Sequence, residues 1–209
     1  MTWTDFGEIL KALGAMATGG AACVGAYAAL RGLHKWQEET TGKRRAEVAE
    51  EALCSFLHVR RVFAGVRART LRINEGSTRK PELHETPELK SQRDRYFAVI
   101  ERLARAQDQF INLDKLRYTF ATYFGKDAAQ PFDMIGEVYT TLGSSAEILI
   151  QIASANPTER DRENEMPLRN ALGWGEAKRP DDIDKKLDDA VKSIEQVCRP
   201  ILAERGPKI

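Results

Sequence analysis

The sequence predicts an all-α protein, a single N-terminal transmembrane helix followed by a coiled-coil-like antiparallel four-helix bundle. Residues 12–30 carry no charge over about nineteen positions, close to the ~20 that a helix needs to cross a bilayer. The chain beyond repeats its apolar residues at alternating steps of four and three, the period of a helix seam. No stretch shows the alternation that would mark a half-buried strand.

The uncharged run takes its meaning from its flanks. Trp3 and Phe6 precede it and Trp36 comes after, at the belt positions where amphipathic aromatics favour the headgroup region. Asp5, Glu8 and Lys11 lie before it, whereas Arg31, Lys35, Lys43, Arg44 and Arg45 lie after. That asymmetry orients the N-terminus outward and residues 37–209 into the cytoplasm. Two small-x-small sites, Ala15-Met16-Ala17 and Ala26-Tyr27-Ala28, raise a cleaved signal peptide as a rival, but its n-region would carry Asp5 and Glu8 rather than positive charge. A buried Ala-rich helix is the other rival. The expected division is residues 1–36 as anchor and 37–209 as helical domain.

On a helical wheel the anchor has two faces. Leu13, Met16, Val24, Tyr27 and Leu30 gather on one side, suited to lipid. Gly14, Thr18, Ala21, Gly25, Ala28 and Gly32 fall opposite. Small residues permit the close backbone approach that helix association inside a bilayer requires. A homo-oligomer assembled through that face is therefore expected.

The first bundle helix is expected over residues 43–73, with Ala52, Phe56, Val59, Phe63, Val66 and Ile73 on its seam and Leu53 and Leu57 widening it. Thr40, Thr41 and Gly42 either break it from the anchor or lie within one continuous helix. Residues 74–87 contain Gly76, Ser77, Pro81 and Pro87 and read as a loop. A second helix is expected over 88–124, with Val99, Leu103, Ala106, Phe110, Leu113, Phe120 and Phe124 on its seam and Tyr96, Phe97 and Ile100 beside it, ended by Gly125. The short connection 126–130 makes the next helix its antiparallel neighbour. That third helix, 131–155, opens with Pro131 and carries Phe132, Ile135, Tyr139, Leu142, Ala146, Leu149 and Ala153. Residues 156–179 form a long polar connection, in which Leu168 to Trp174 are expected as one or two helical turns docked by Leu172 and Trp174. The fourth helix starts near Pro180, with Asp181, Asp182 and Asp184 at the positive end of its dipole. Its seam is Ile183, Leu187, Ala190, Ile194, Val197 and Ile201, and Pro200 is expected to loosen its last turn.

The run Gly42-Lys43-Arg44-Arg45-Ala46-Glu47-Val48-Ala49-Glu50-Glu51-Ala52-Leu53, with the tail from Ile183 to Leu202, resembles a group of bacterial small proteins that have one N-terminal membrane helix and a cytoplasmic helical domain. The resemblance implies bacterial origin and the inner membrane. The group has no assigned activity, so no functional residue is carried over.

Nothing in the sequence points to catalysis. The three histidines, His34, His58 and His84, are isolated. There is no His-x-x-x-His, nucleophile-elbow or P-loop spacing. The acids Glu47, Glu50, Glu51, Asp188 and Asp189 fall off the seams, whereas a di-metal bundle places its carboxylates on them. No enzyme, cofactor or metal is expected. Three cysteines, Cys23, Cys54 and Cys198, form no Cys-x-x-Cys pair. Cys54 and Cys198 are expected as buried thiols in a reducing compartment.

The sharpest charge feature is Arg60, Arg61, Arg67, Arg69, Arg72, Arg79 and Lys80, opposed locally only by Glu75. Such a block binds nucleic acid, anionic lipid or a nucleotide signal, or it is a face paired with acids of later helices. The balance of 32 basic and 31 acidic residues favours the second. Two functions of different class fit: a membrane-anchored interaction module with a protein partner, and a membrane effector of stress or phage-defence type whose bundle senses a signal and whose anchor oligomerises.

Overall fold

The computed structural model describes residues 3–154 and 157–204, and the side chains of Tyr27, 29–154 and 157–203. Among them are six α-helices and no strand. In order they are α1 (Trp3–Val66), α2 (Pro87–Arg105), α3 (Gln107–Phe124), α4 (Gln130–Ile152), α5 (Glu159–Ala171) and α6 (Asp182–Glu204), with a 3-10 turn at Asp127–Ala129 between α3 and α4. The all-α expectation stands. The chain divides into two units, Met1–Arg45 and Ala46–Ile209.

In the first unit α1 passes through Thr40, Thr41 and Gly42 without a break. Residues 29–45 are exposed, among them Leu30, Leu33 and Trp36, as is Tyr27. No described helix is long and apolar enough to cross a membrane. The uncharged run 12–30 lies, apart from Tyr27, Ala29 and Leu30, outside the residues whose side chains are described. So do Gly14, Thr18, Ala21, Gly25 and Ala28 of the expected self-association face. Gly32 of that face is exposed, with open space where a Cβ would stand.

The second unit holds the core. Ala52, Phe56, Val59, Phe63 and Val66 are buried at the expected steps, joined by Ala46, Val48 and Ala49. α2, α5 and α6 all pack on α4, whose Leu142, Ala146 and Leu149 are completely enclosed. Burying a leucine of this kind is worth about 1.5–3 kcal/mol. Aromatic rings lock α1 to its neighbours: Phe56 meets Phe132 of α4 edge-on at 4.8 Å, and Phe63 meets Phe110 of α3 at 5.1 Å.

Several expectations are corrected. The first bundle helix stops at Val66, not at Ile73, which is 95% exposed. Polar partners draw the chain beyond Val66 out of helical geometry. Arg102 of α2 donates to the carbonyls of Val66, Ala68 and Thr70 at 3.1, 2.7 and 2.8 Å, so a side chain satisfies helix-end oxygens that another turn of helix would have used. Leu57 and Cys54 lie on the outer face of α1 and are exposed; only Cys198 is a buried thiol among the described residues.

The expected second helix is two helices. Ala106 leaves helical geometry (φ −96°, ψ 3°) and its N–H is shared between the carbonyls of Arg102 and Leu103. Neither Gly nor Pro stands there, so packing rather than propensity makes the break. Beyond it Phe110 sits against both Phe63 and, at 4.6 Å, Tyr139 of α4.

The polar connection 156–179 contains α5, opened by a capping box in which Thr158 and Asp161 satisfy each other's backbone N–H. α6 runs through Pro200 to Glu204. Its buried seam is Leu187, Ala190, Val191, Ile194 and Cys198, whereas the expected Ile183, Val197 and Ile201 are half-buried.

Candidate functional site

The structure disperses the basic block. Arg67, 1% exposed, donates to Asp181 and, at 2.6 Å, to Asp184 at the start of α6, and to the carbonyl of Ala171 at 3.0 Å. Arg60 pairs with Asp188 at 2.7 Å. Arg79 is buried against Glu85 (2.7 Å) and Asp94 (2.8 Å). Arg72 contributes its backbone N–H to Glu75 at 3.0 Å. Arg61 lines an open groove of about 730 Å³ together with Arg60, Arg67, Arg179, Asp184 and Asp188. In that groove Arg60, Arg67 and Arg179 all have aspartate partners.

Arg69 is different. It crosses from the loop after α1 to the loop after α5, where its Nε and Nη2 donate to the carbonyls of Gly173 (2.8 Å) and Gly175 (2.9 Å). There it joins Gln92, Arg95 and Tyr96 of α2, Arg169 of α5 and Trp174 around a pocket of about 280 Å³. The loop is shaped for this. The N–H groups of Trp174 and Gly175 both return to the carbonyl of Arg169 at 2.8 and 3.0 Å, closing the end of α5. A Cβ on Gly175 would stand 2.8 Å from the backbone nitrogen of Asn170 as well as against its side chain, so the closure favours glycine.

Trp174 stacks on the buried Tyr96, their ring centroids 6.0 Å apart and their planes within 23° of parallel. Three buried polar atoms in or beside this stack have no hydrogen-bond partner among the described residues: Trp174 Nε1, Arg169 Nε and Glu165 Oε1. Buried groups of this kind are rare and each costs stability. Glu165 lies one turn before Arg169 on α5 and is 3% exposed. Burial pushes its carboxyl above the ordinary carboxylate range, against the pull of Arg169. Burial likewise raises the Tyr96 phenol, while a hydrogen bond from Gln92 and the charge of Arg169 lower it.

Sequence reading found one of the pocket's cations, Arg69, and placed Trp174 as a docking residue. It missed Arg95 and Arg169, because each stands alone on a different helix and only tertiary packing brings them together. No group of three or more His, Cys, Asp or Glu side chains among the described residues is placed to hold a metal ion.

Fold and site define an all-helical domain with a donor-lined polar pocket. No protein family, curated protein or solved structure matches the chain.

Proposed function

We propose that the protein is a membrane-anchored helical interaction module. A single-pass N-terminal helix, its terminus outside, carries a coiled-coil-like antiparallel bundle on the cytoplasmic side of a bacterial inner membrane. The observation that carries this reading is the exposure of Tyr27, Leu30, Leu33 and Trp36 on α1, at 65, 59, 50 and 62%. Apolar side chains in such a row call for a cover of lipid or protein. The uncharged run before them and Arg31, Lys35, Lys43, Arg44 and Arg45 after them favour lipid with the basic side inward. Alkaline carbonate tests it. The full chain is expected in the membrane pellet and a fragment beginning at Lys43 in the supernatant. Extraction of the full chain overturns the anchor.

The effector reading is favoured by the stripe of Gly14, Thr18, Ala21, Gly25, Ala28 and Gly32, which suits helix–helix packing in lipid. Growth arrest or depolarisation on overexpression supports it, whereas inert overexpression with one co-purifying partner supports the module. An unidentified protein partner belongs to the module, and a nucleotide signal to the effector.

A further inference from the structure

We propose that the pocket formed by Arg69, Arg95, Tyr96, Arg169 and Trp174 binds a phosphate monoester carried on a flat ring. This inference stands on the helical domain alone and does not depend on the membrane anchor.

The donor inventory excludes most other ligands. Guanidinium and indole N–H groups donate and never accept, so three arginines and a tryptophan offer hydrogen only to an acceptor-rich partner. Trp174 Nε1 and Arg169 Nε are buried without a partner, and nothing the described chain supplies meets that demand. An oxyanion does, through charge-assisted hydrogen bonds.

Phosphate is favoured over carboxylate by charge and direction. The cations come from three separate segments, the loop after α1, α2 and α5, and so approach from different sides. A tetrahedral group with oxygens in several directions can meet them, whereas a planar carboxylate is matched by one guanidinium fork. No acid lines the pocket among the described residues. Glu165, the buried acid one turn before Arg169 on α5, is not among the residues that line the pocket.

The flat ring is read from the stack. Half-buried Trp174, backed by the stacked ring of Tyr96, lines the pocket beside the cations, and an indole held in this way offers a planar group a rigid stacking partner. The volume, about 280 Å³, lies at the lower edge of small-molecule sites, roughly 300–1,000 Å³. It suits a mononucleotide-sized compound and is too small for a polymer segment of several residues. The larger groove at Arg61 has the volume but its other cations are already paired.

Calorimetric titration of the full-length protein in mild detergent with phenyl phosphate, inorganic phosphate and benzoate decides the matter. Phenyl phosphate is expected to bind saturably at one site, tighter than inorganic phosphate and tighter than benzoate. Arg95→Gln, at an exposed rim position, is expected to keep the fold by circular dichroism and to weaken phenyl phosphate binding about 10-fold or more. Trp174→Phe keeps a ring and removes the indole N–H, and is expected to weaken binding while Trp36→Phe does not. No saturable binding at ~10 mM phenyl phosphate, or equal affinity in wild type and Arg95→Gln, overturns the site. Benzoate tighter than phenyl phosphate overturns the phosphate assignment, and equal affinity for phenyl and inorganic phosphate overturns the ring.

Discussion

The guanidinium of Arg67, just past the end of α1, is held 2.6 Å from Asp184 Oδ1 at the start of α6, and it is fully enclosed between α1, the end of α5 and α6. Asp184 also accepts from Arg179 at 2.8 Å. Removing one member of a buried pair strands the other, which costs about 3–5 kcal/mol. Arg67→Ala is therefore expected to lower the unfolding free energy by an amount of that order, read as a lower urea midpoint at unchanged slope. Arg61→Ala, on α1 but exposed, is expected to change stability by less than about 0.5 kcal/mol. Equal effects would mean that the Arg67 cluster does not hold the helix ends together.

The seams are tested by truncation. Phe63 and Ile194 are both completely buried, and their replacement by Ala is expected to cost about 2–5 kcal/mol each. Ile73→Ala is expected to stay within ~0.5 kcal/mol, because that side chain stands in solvent. Chemical denaturation of the three variants separates the buried seam from the part of it that sequence alone extends too far.

Gly76 and Gly136 are expected to respond to alanine with opposite signs. Gly76 has φ 86°, and a Cβ there would stand 1.9 Å from the carbonyl oxygen of Asp94 on α2. Gly76→Ala is expected to destabilise by about 2 kcal/mol or more through strain and displacement of the loop. Gly136 is exposed within α4 with nothing near its Cβ position. Gly136→Ala is expected to stabilise by about 0.5–1 kcal/mol, the helix propensity difference. Thermal unfolding of both variants reads the contrast.

The thiols are expected to separate by reactivity. Cys198 is buried, and burial pushes its pKa up to about 11, so it holds little thiolate at neutral pH. Cys54 is exposed. Iodoacetamide labelling with peptide mass spectrometry is expected to modify Cys54 in the native protein and Cys198 only after unfolding. Early labelling of Cys198 would show that α6 opens from the core.

The pH dependence comes from opposed carboxyl groups. Hydrogen bonds from Arg102 hold Glu75 below its ordinary range, those from Arg79 hold Glu85 down, and those from Arg179 hold Asp184 down. Each contributes stability that is complete above the ordinary carboxylate range and is lost as pH falls through the depressed folded value. Glu165, raised by burial, acts in the other direction: ionisation of the unfolded chain above about 4.5 favours unfolding until the folded group also ionises. Stability is expected to fall steeply below about pH 4. Glu165→Gln is expected to raise the urea midpoint at pH 7 more than at pH 4. An unchanged difference between the two pH values would show that Glu165 is not strained in the fold.

The division between what was legible in sequence and what was not tracks the range of the forces. Helix periodicity is local, so Phe56, Val59, Phe63, Leu142, Leu149 and Ile194 could be placed in the core from spacing alone. The cap at Thr158 and Asp161 is equally local, yet the polar composition of the connection hid the start of α5, and apolar spacing showed only its last turn from Leu168. Charge counting could say only that the basic block would find acids somewhere in the chain.

Which acids, and which cations remain over, was decided by tertiary structure. Arg67 finds Asp181 and Asp184 more than a hundred positions away because the end of α1 and the start of α6 meet there. No Gly or Pro announces the break at Ala106, and just beyond it Phe110 packs against Phe63 and Tyr139. Spacing and composition alone located the main apolar seams, the all-helical class and the uncharged run. The three-dimensional packing decided where helices stop, which arginines are consumed, and that Arg69, Arg95 and Arg169 converge beside Trp174, since burial and long-range pairing act between residues that are neighbours only once the chain has folded.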